Sequence, residues 1–317
     1  MVLNIILLLV GFVLLIIGAN WLVDGSSSLA RKFKISDLAI GLTVVALGTS
    51  TPELVVNLFA AVEGHHEIVF GNILGSNNFN LFVILGIAGL ITPLVVKSST
   101  VWKEIPISFV AILMVFLMAN GFFLSGPKVV SRIEGIVLLS MLILFLFYVF
   151  KQVKTDLEVH LDHKEIPMPK IIALIAFGLG GLIAGGRLVV VNAVELATVM
   201  GVSEKIIGLT IVAAGTSLPE LVTSVIAGLK KNNDIAIGNI IGSNIFNIFL
   251  ILGLSAVIRP QEFNTAFNSD ILMVALGTVF LFIAMFSGKK HRLDRWEAGL
   301  MLLAFIGYTI FLINKEI

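Results

Sequence analysis

The stretch Gly41–Val55 reads GLTVVALGTSTPELV, and it returns at Gly208–Val222 as GLTIVAAGTSLPELV. The stretch Gly71–Phe82, GNILGSNNFNLF, returns at Gly238–Phe249 as GNIIGSNIFNIF. Both pairs stand 167 positions apart without a gap, so Glu53 aligns with Glu220 and Asn80 with Asn247. Each copy places one glutamate in a segment otherwise too apolar for charge. A repeated acidic motif inside hydrophobic segments reads first as a cation pathway.

The rest of the chain fits that setting. Of its 317 residues 58% are hydrophobic and only 13% charged, more apolar than an ordinary soluble domain. Ten segments are each close to the ~20 residues that cross a bilayer core as a helix. They fall at 3–23, 37–62, 68–91, 105–125, 133–150, 171–191, 205–229, 235–258, 271–288 and 296–314. The expected fold is therefore all-α and polytopic, because a backbone in lipid must satisfy its own hydrogen bonds and these long runs are not barrel strands. The first segment lacks a basic leader and a small-residue cleavage site, so it reads as a span and not as a cleaved signal.

Charge placement gives an orientation. With the N-terminus outside, fifteen basic residues fall in the loops after helices 1, 3, 5, 7 and 9, against five in the other loops and the tail. The positive-inside rule then places both termini outside a cell membrane, plasma or inner. The net charge of +1 points to no particular partner beyond the lipid bilayer, and no nucleic-acid partner is expected. There is no cysteine, which excludes thiolate metal sites and disulfides. All five histidines lie in loops, which argues against a histidine relay within the membrane. The equipment of an intramembrane protease is absent, so an enzyme is not expected, and neither is a cofactor.

Helices 1–5 (residues 1–150) and 6–10 (residues 171–317) form two halves. The hydrophilic segment 151–170 joins them as a cytoplasmic linker. Five is odd, so a duplicated half must sit upside down relative to its twin, the inverted-repeat plan of secondary transporters. Near the ends the offset slips: Arg132 and Glu134 match Arg295 and Glu297 at 163.

Within helix 2, Gly48-Thr49-Ser50-Thr51-Pro52-Glu53 should break the helix. Proline has no amide hydrogen, so the Gly48 carbonyl loses its usual helical donor. Thr49 and Glu53 are four apart and share a face. Gly215-Thr216-Ser217-Leu218-Pro219-Glu220 repeats the pattern in helix 7. Helix 3 carries Asn72, Ser76 and Asn80 at a spacing of four, and helix 8 carries Asn239, Ser243 and Asn247. Such a set offers oxygen donors only, which suits hard cations: Ca²⁺ takes about six to eight oxygens. Two carboxylates neutralise one Ca²⁺, two or more Na⁺, or protons. Left uncompensated in a dry site they are costly, so a carrier built on them should change sides only when loaded, as an exchanger does.

Other polar and small residues have plainer explanations. Gly71, Gly75, Ser76, Gly238, Gly242 and Ser243, taken singly, suit close helix packing. Asn77 and Asn244 read as bonds across helices. Asp24, Arg187 and Glu195 read as residues near helix ends that snorkel or cap. Glu53 and Glu220 have no such account, because a midmembrane acid kept only for packing is expensive.

The motifs GTSTPE…GNILGSNNFN and GTSLPE…GNIIGSNIFN resemble the two alpha-repeats of the calcium/cation antiporter superfamily. Within it the chain resembles the compact prokaryotic sodium/calcium exchangers over nearly its whole length. The resemblance implies ten helices, with helices 2, 3, 7 and 8 forming a four-site diamond near the midplane. It implies Ca²⁺ and Na⁺ as cargo, with Glu53 and Glu220 as central Ca²⁺ ligands and Thr49 and Thr216 supporting them. Ser50, Ser76, Ser217 and Ser243, with the carbonyls of Ala46 and Ala213, would serve Na⁺, and Asn80 and Asn247 would line the middle site. It also implies that helices 1 and 6 slide to alternate access. Some relatives carry aspartate where this chain has Asn80 or Asn247, which leaves the stoichiometry open. The proton-coupled branch places a glutamate shortly after the Gly-Asn of helices 3 and 8. This chain has none there, which favours sodium over a proton- or other-cation-coupled divalent antiport.

Overall fold

The computed structural model describes residues 1–122, 128–152, 166–200, 213–288 and 290–316. The first helix, α1, runs Val2–Phe33, and α2 runs Asp37–Thr49. They are followed by α3 (Thr51–Glu63), α4 (His66–Ile91), α5 (Thr100–Ala119) and α6 (Arg132–Gln152). The second half holds α7 (Met168–Val199), the short α8 (Ala213–Thr216) and α9 (Leu218–Leu229). It continues with α10 (Asn233–Ile258), α11 (Asn268–Ala284) and α12 (Arg295–Glu316). Among the described residues eight helices are long and apolar enough to cross a membrane, or nine if α2 and α3, bent by 51° at Ser50, are one span. The expected span 205–229 is described only from Ala213, and most of the expected linker 151–170 also lies outside the described residues.

Two spans are longer than hydropathy suggests. Helix α1 continues ten residues past the expected end at 23, and α7 runs to Val199 where 191 was expected. Asp24 and the serines 26–28 interrupt the apolar run, yet nothing in them breaks backbone hydrogen bonding. The helix stops instead at Lys34, whose left-handed φ of 55° turns its N–H back onto the carbonyls of Ala30 and Arg31. Asp24 and Arg187 are therefore interior to their helices, which corrects their reading as end residues. Asp24 is held by Lys230 at 2.7 Å and is not left to snorkel.

The chain divides into two compact units, Met1–Pro52 with Phe147–Asn239, and Glu53–Leu146 with Ile240–Ile317. In the first, α1 and α7 pack antiparallel through glycines. A Cβ on Gly11 would stand 2.9 Å from the carbonyl oxygen of Gly185, and one on Gly18 2.8 Å from that of Gly178. Only hydrogen fits between backbones that approach so closely. The pairing is crossed: Gly178 is the 167-shifted match of Gly11, and Gly185 that of Gly18.

The second unit repeats this crossing several times. Strand β1 (Leu94–Val95) pairs antiparallel with β4 (Arg292–Leu293), and β2 (Val129–Val130) with β3 (Gln261–Glu262). Arg132 donates to the carbonyl of Ile258, and its match Arg295 donates to those of Leu90 and Ile91. Gly86 abuts Ala298 and Leu302, while Gly253 abuts Gly135 and Leu139. Glu134 and Glu297 are fully buried and do local work. Glu134 accepts from the N–H and hydroxyl of Ser131 at 2.8 Å, and Glu297 from the N–H of Asp294 at 2.7 Å. Both are the reaching-back partner of a capping box at a helix start.

Candidate cation site

The two spans that carry the asparagines are the most enclosed. Of an 18-residue stretch of each, 72% is buried in α4 and 83% in α10, against 17–44% in the other long apolar helices. Both widen into a π-helical turn beside the motif asparagines, at Phe79–Ile84 and Asn247–Leu252. Such turns recur at functional sites because they re-aim side chains within a helix.

The expected helix break is present in both copies. Ser50 sits at the α2–α3 junction with φ −81° and ψ 8°, and Ser217 at the α8–α9 junction with φ −89° and ψ 7°. Each break starts a new helix in the interior of the chain's apolar run, and Glu53 and Glu220 lie in the first turns of those helices. A helix N-terminus carries partial positive charge, so each break also supplies a favourable field for its carboxylate. Glu53 is 2% exposed and Glu220 1%.

In the first unit the Ser50 hydroxyl donates to Glu220 Oε1 at 2.9 Å. Thr49 Oγ1 lies 3.0 Å from Asn239 Oδ1 and within 3.3 Å of the carbonyls of Val45 and Ala46, so its one proton serves one of three acceptors. The Asn239 amide donates to Ser224 Oγ at 3.0 Å and to the Glu220 carbonyl at 3.4 Å. The Ala46 carbonyl already accepts the Ser50 N–H at 3.0 Å. Ala213, Thr216 and Ser217 lie at the second break, where Ser217 is fully buried and Thr216 half-buried.

In the second unit Glu53 shares its helix with Asn57, whose amide donates to the Glu53 carbonyl at 2.7 Å. The Asn57 Oδ1 accepts no hydrogen bond, nor does the buried Ser76 hydroxyl make one. Ser243 is fully buried. Asn80 and Asn247 are each 1% exposed, and the Oδ1 of each is without a hydrogen-bond partner. A buried polar oxygen left unpaired costs about 1–3 kcal/mol unless something else satisfies it. A cation does so.

Among the described residues no three His, Asp or Glu side chains are grouped as a metal site. The Ser50 hydroxyl on the Glu220 carboxylate is neutral, as are the Asn57 and Asn239 amides on the backbone carbonyls of Glu53 and Glu220. A polar cleft lined by His65, His66, Glu67 and Glu262 lies at the start of α4 beside β3, where His66, expected in a loop, is the first residue of α4 and is bonded to Gln261; the cleft includes none of the motif residues. Asn57 and Ser224 are additions to the sequence reading. They occupy matched positions four residues after each glutamate, and that repeated polar residue in an apolar helix was the available signal.

The model of the sodium/calcium exchanger protein family matches residues 3–151 and 170–314. The chain belongs to that family. Putative antiporter CaxA of Alkalimonas amylolytica is 38% identical over 98% of both chains. Sodium/calcium exchanger MaX1 of Methanosarcina acetivorans is 28% identical over 98% of both. The solved structure of the sodium-calcium exchanger NCX_Mj superposes with a TM-score of 0.82 at 30% identity, covering 96% of this chain and 97% of that one. This exchanger-family protein is accordingly a multi-pass, largely helical membrane transporter of the antiporter class, as its motifs suggested.

Proposed function

We propose that this protein is a secondary active antiporter that exchanges Ca²⁺ for Na⁺ across the cell membrane by alternating access. Residues 1–150 and 171–317 act as inverted repeats joined by a cytoplasmic linker, with ten spans and both termini outside. Crossed contacts support the inverted plan. Gly11 meets the match of Gly18, β1 meets the match of β2, and Arg132 and Arg295 cap each other's repeat. Such reciprocity is what a two-fold axis between duplicated halves produces.

The observation that carries the ionic reading is one buried glutamate per repeat, each in the first turn after a matched break. Glu53 and Glu220 carry the Ca²⁺ charge. Thr49, Thr216, Asn80 and Asn247 supply further oxygen, and Ser50, Ser76, Ser217 and Ser243 with the carbonyls of Ala46 and Ala213 serve Na⁺. Carboxylates in a dry site need compensation, so the carrier reorients when loaded and stays when empty. Helices α1 and α7, locked backbone to backbone, move as one body.

Flux into reconstituted vesicles, with Na⁺, H⁺ and K⁺ gradients varied separately, tests this. Ca²⁺ uptake should follow an outward Na⁺ gradient and ignore the others. Uptake that ignores Na⁺ and follows pH would make it a proton-coupled divalent antiporter.

A further inference from the structure

Asn77 and Asn244, which the proposed site does not use, form a reciprocal pair in the second unit. The Asn77 amide nitrogen reaches the backbone carbonyl of Asn244, and the Asn244 amide nitrogen reaches that of Asn77, each at 3.4 Å. Each side-chain oxygen then accepts from the motif asparagine of the opposite repeat. Asn247 Nδ2 donates to Asn77 Oδ1 at 2.9 Å, and Asn80 Nδ2 donates to Asn244 Oδ1 at 3.1 Å. All four side chains are at most 2% exposed.

The chemistry of these contacts fixes every amide in turn. A backbone carbonyl only accepts, so Asn77 must turn its NH₂ toward Asn244 and its oxygen away. Asn247, facing that oxygen, must offer its NH₂. Its own Oδ1 is left pointing elsewhere, buried and without a hydrogen-bond partner, and the same holds for Asn80 Oδ1. We propose that Asn77 and Asn244 are positioning residues that lock the amides of Asn247 and Asn80 with oxygen, not NH₂, presented to the transported cation. The inference rests on the antiport reading above. Oxygen and nitrogen of an amide differ little in shape but oppositely in charge, so an unlocked asparagine would face the cation with a donor for part of the time. The relay is crossed: Asn77 governs Asn247, and Asn244 governs Asn80.

A carboxylate has two equivalent oxygens and needs no such lock, which supplies the test. Asn77→Ala and Asn244→Ala are made in the parent chain, in Asn247→Asp and in Asn80→Asp, and the KM for Ca²⁺ is measured in vesicles against each background. In the parent, each alanine should raise KM about tenfold or more, the usual effect of losing a group that orients a metal ligand. In Asn247→Asp the loss from Asn77→Ala should shrink to within about twofold of that background, while the loss from Asn244→Ala persists. In Asn80→Asp the pattern should reverse. Equal losses in all backgrounds would mean that the pair only packs, and an uncrossed rescue would refute the relay; either overturns the proposal. An alanine variant that does not assemble is replaced by serine, which is too short to span to the opposite carbonyl, and read by the same criteria. A parent chain that moves no Ca²⁺ under any gradient would instead fail the antiport reading, and is seen before any variant is made.

Discussion

Ser50 donates to Glu220 across 170 positions of sequence, and Asn239 ties Thr49 to Ser224 in the same cluster. A hydroxyl aimed at a carboxylate oxygen helps hold that carboxylate in place. Ser50→Ala should therefore weaken cation binding without unfolding the chain, raising KM for Ca²⁺ about tenfold with little change in thermal midpoint. Initial uptake rates over a Ca²⁺ series, with a melting curve on the same preparation, check this. At this scale the glutamates were legible because charge in an apolar run is costly and this one occurs twice. The partners of Thr49 and Ser50 were not legible, since hydroxyl contacts spanning 170 or more residues leave no local pattern. The same holds for Asn77 and Asn244. Read singly they suit a bond across helices, and only their mutual contact reveals the order of the amides.

Helices were easier to read than their ends. The apolar runs located nine of the ten expected spans, counting the bent α2–α3 pair as one, and Gly48, Pro52 and Pro219 foretold both breaks. Hydropathy missed the final turns of α1 because Asp24 and its neighbouring serines are polar yet compatible with a helix. The four strands, two residues each, are too short to show alternation and were not foreseen. Glycines on α1 make a direct test of packing. Gly18→Val forces a branched side chain against the backbone of Gly178 and Leu182 and should cost at least the 1–3 kcal/mol of overpacking, seen as a lower thermal midpoint. A Cβ on Gly180 of α7 meets nothing within 4 Å, so Gly180→Ala should be neutral or stabilising by up to about 1 kcal/mol. The buried capping acid Glu134 gives a second contrast. Glu134→Ala removes the acceptor for the Ser131 N–H and should destabilise by about 1–2 kcal/mol while KM for Ca²⁺ stays within twofold of the parent.

For the whole molecule, the family was legible in the two motifs and the helical membrane architecture in the apolar runs. The proposed orientation rests on the bias of basic residues alone and is open to a simple check. The chain has no cysteine, so one introduced thiol is the only one present. His65→Cys, on an exposed loop assigned to the outside, should react with a membrane-impermeant maleimide added to intact cells. Lys290→Cys, assigned to the cytoplasm, should react only after the cells are opened. The measurement that bears most directly on the central claim is the initial rate of radiolabelled Ca²⁺ uptake, driven by an outward Na⁺ gradient, into vesicles holding the parent, Glu53→Gln or Glu220→Gln. If one acid from each repeat carries the cargo, each glutamine variant should fall by more than about a hundredfold, beyond the range of groups that merely support a ligand, with helix content unchanged. Uptake within twofold of the parent in either variant would contradict it.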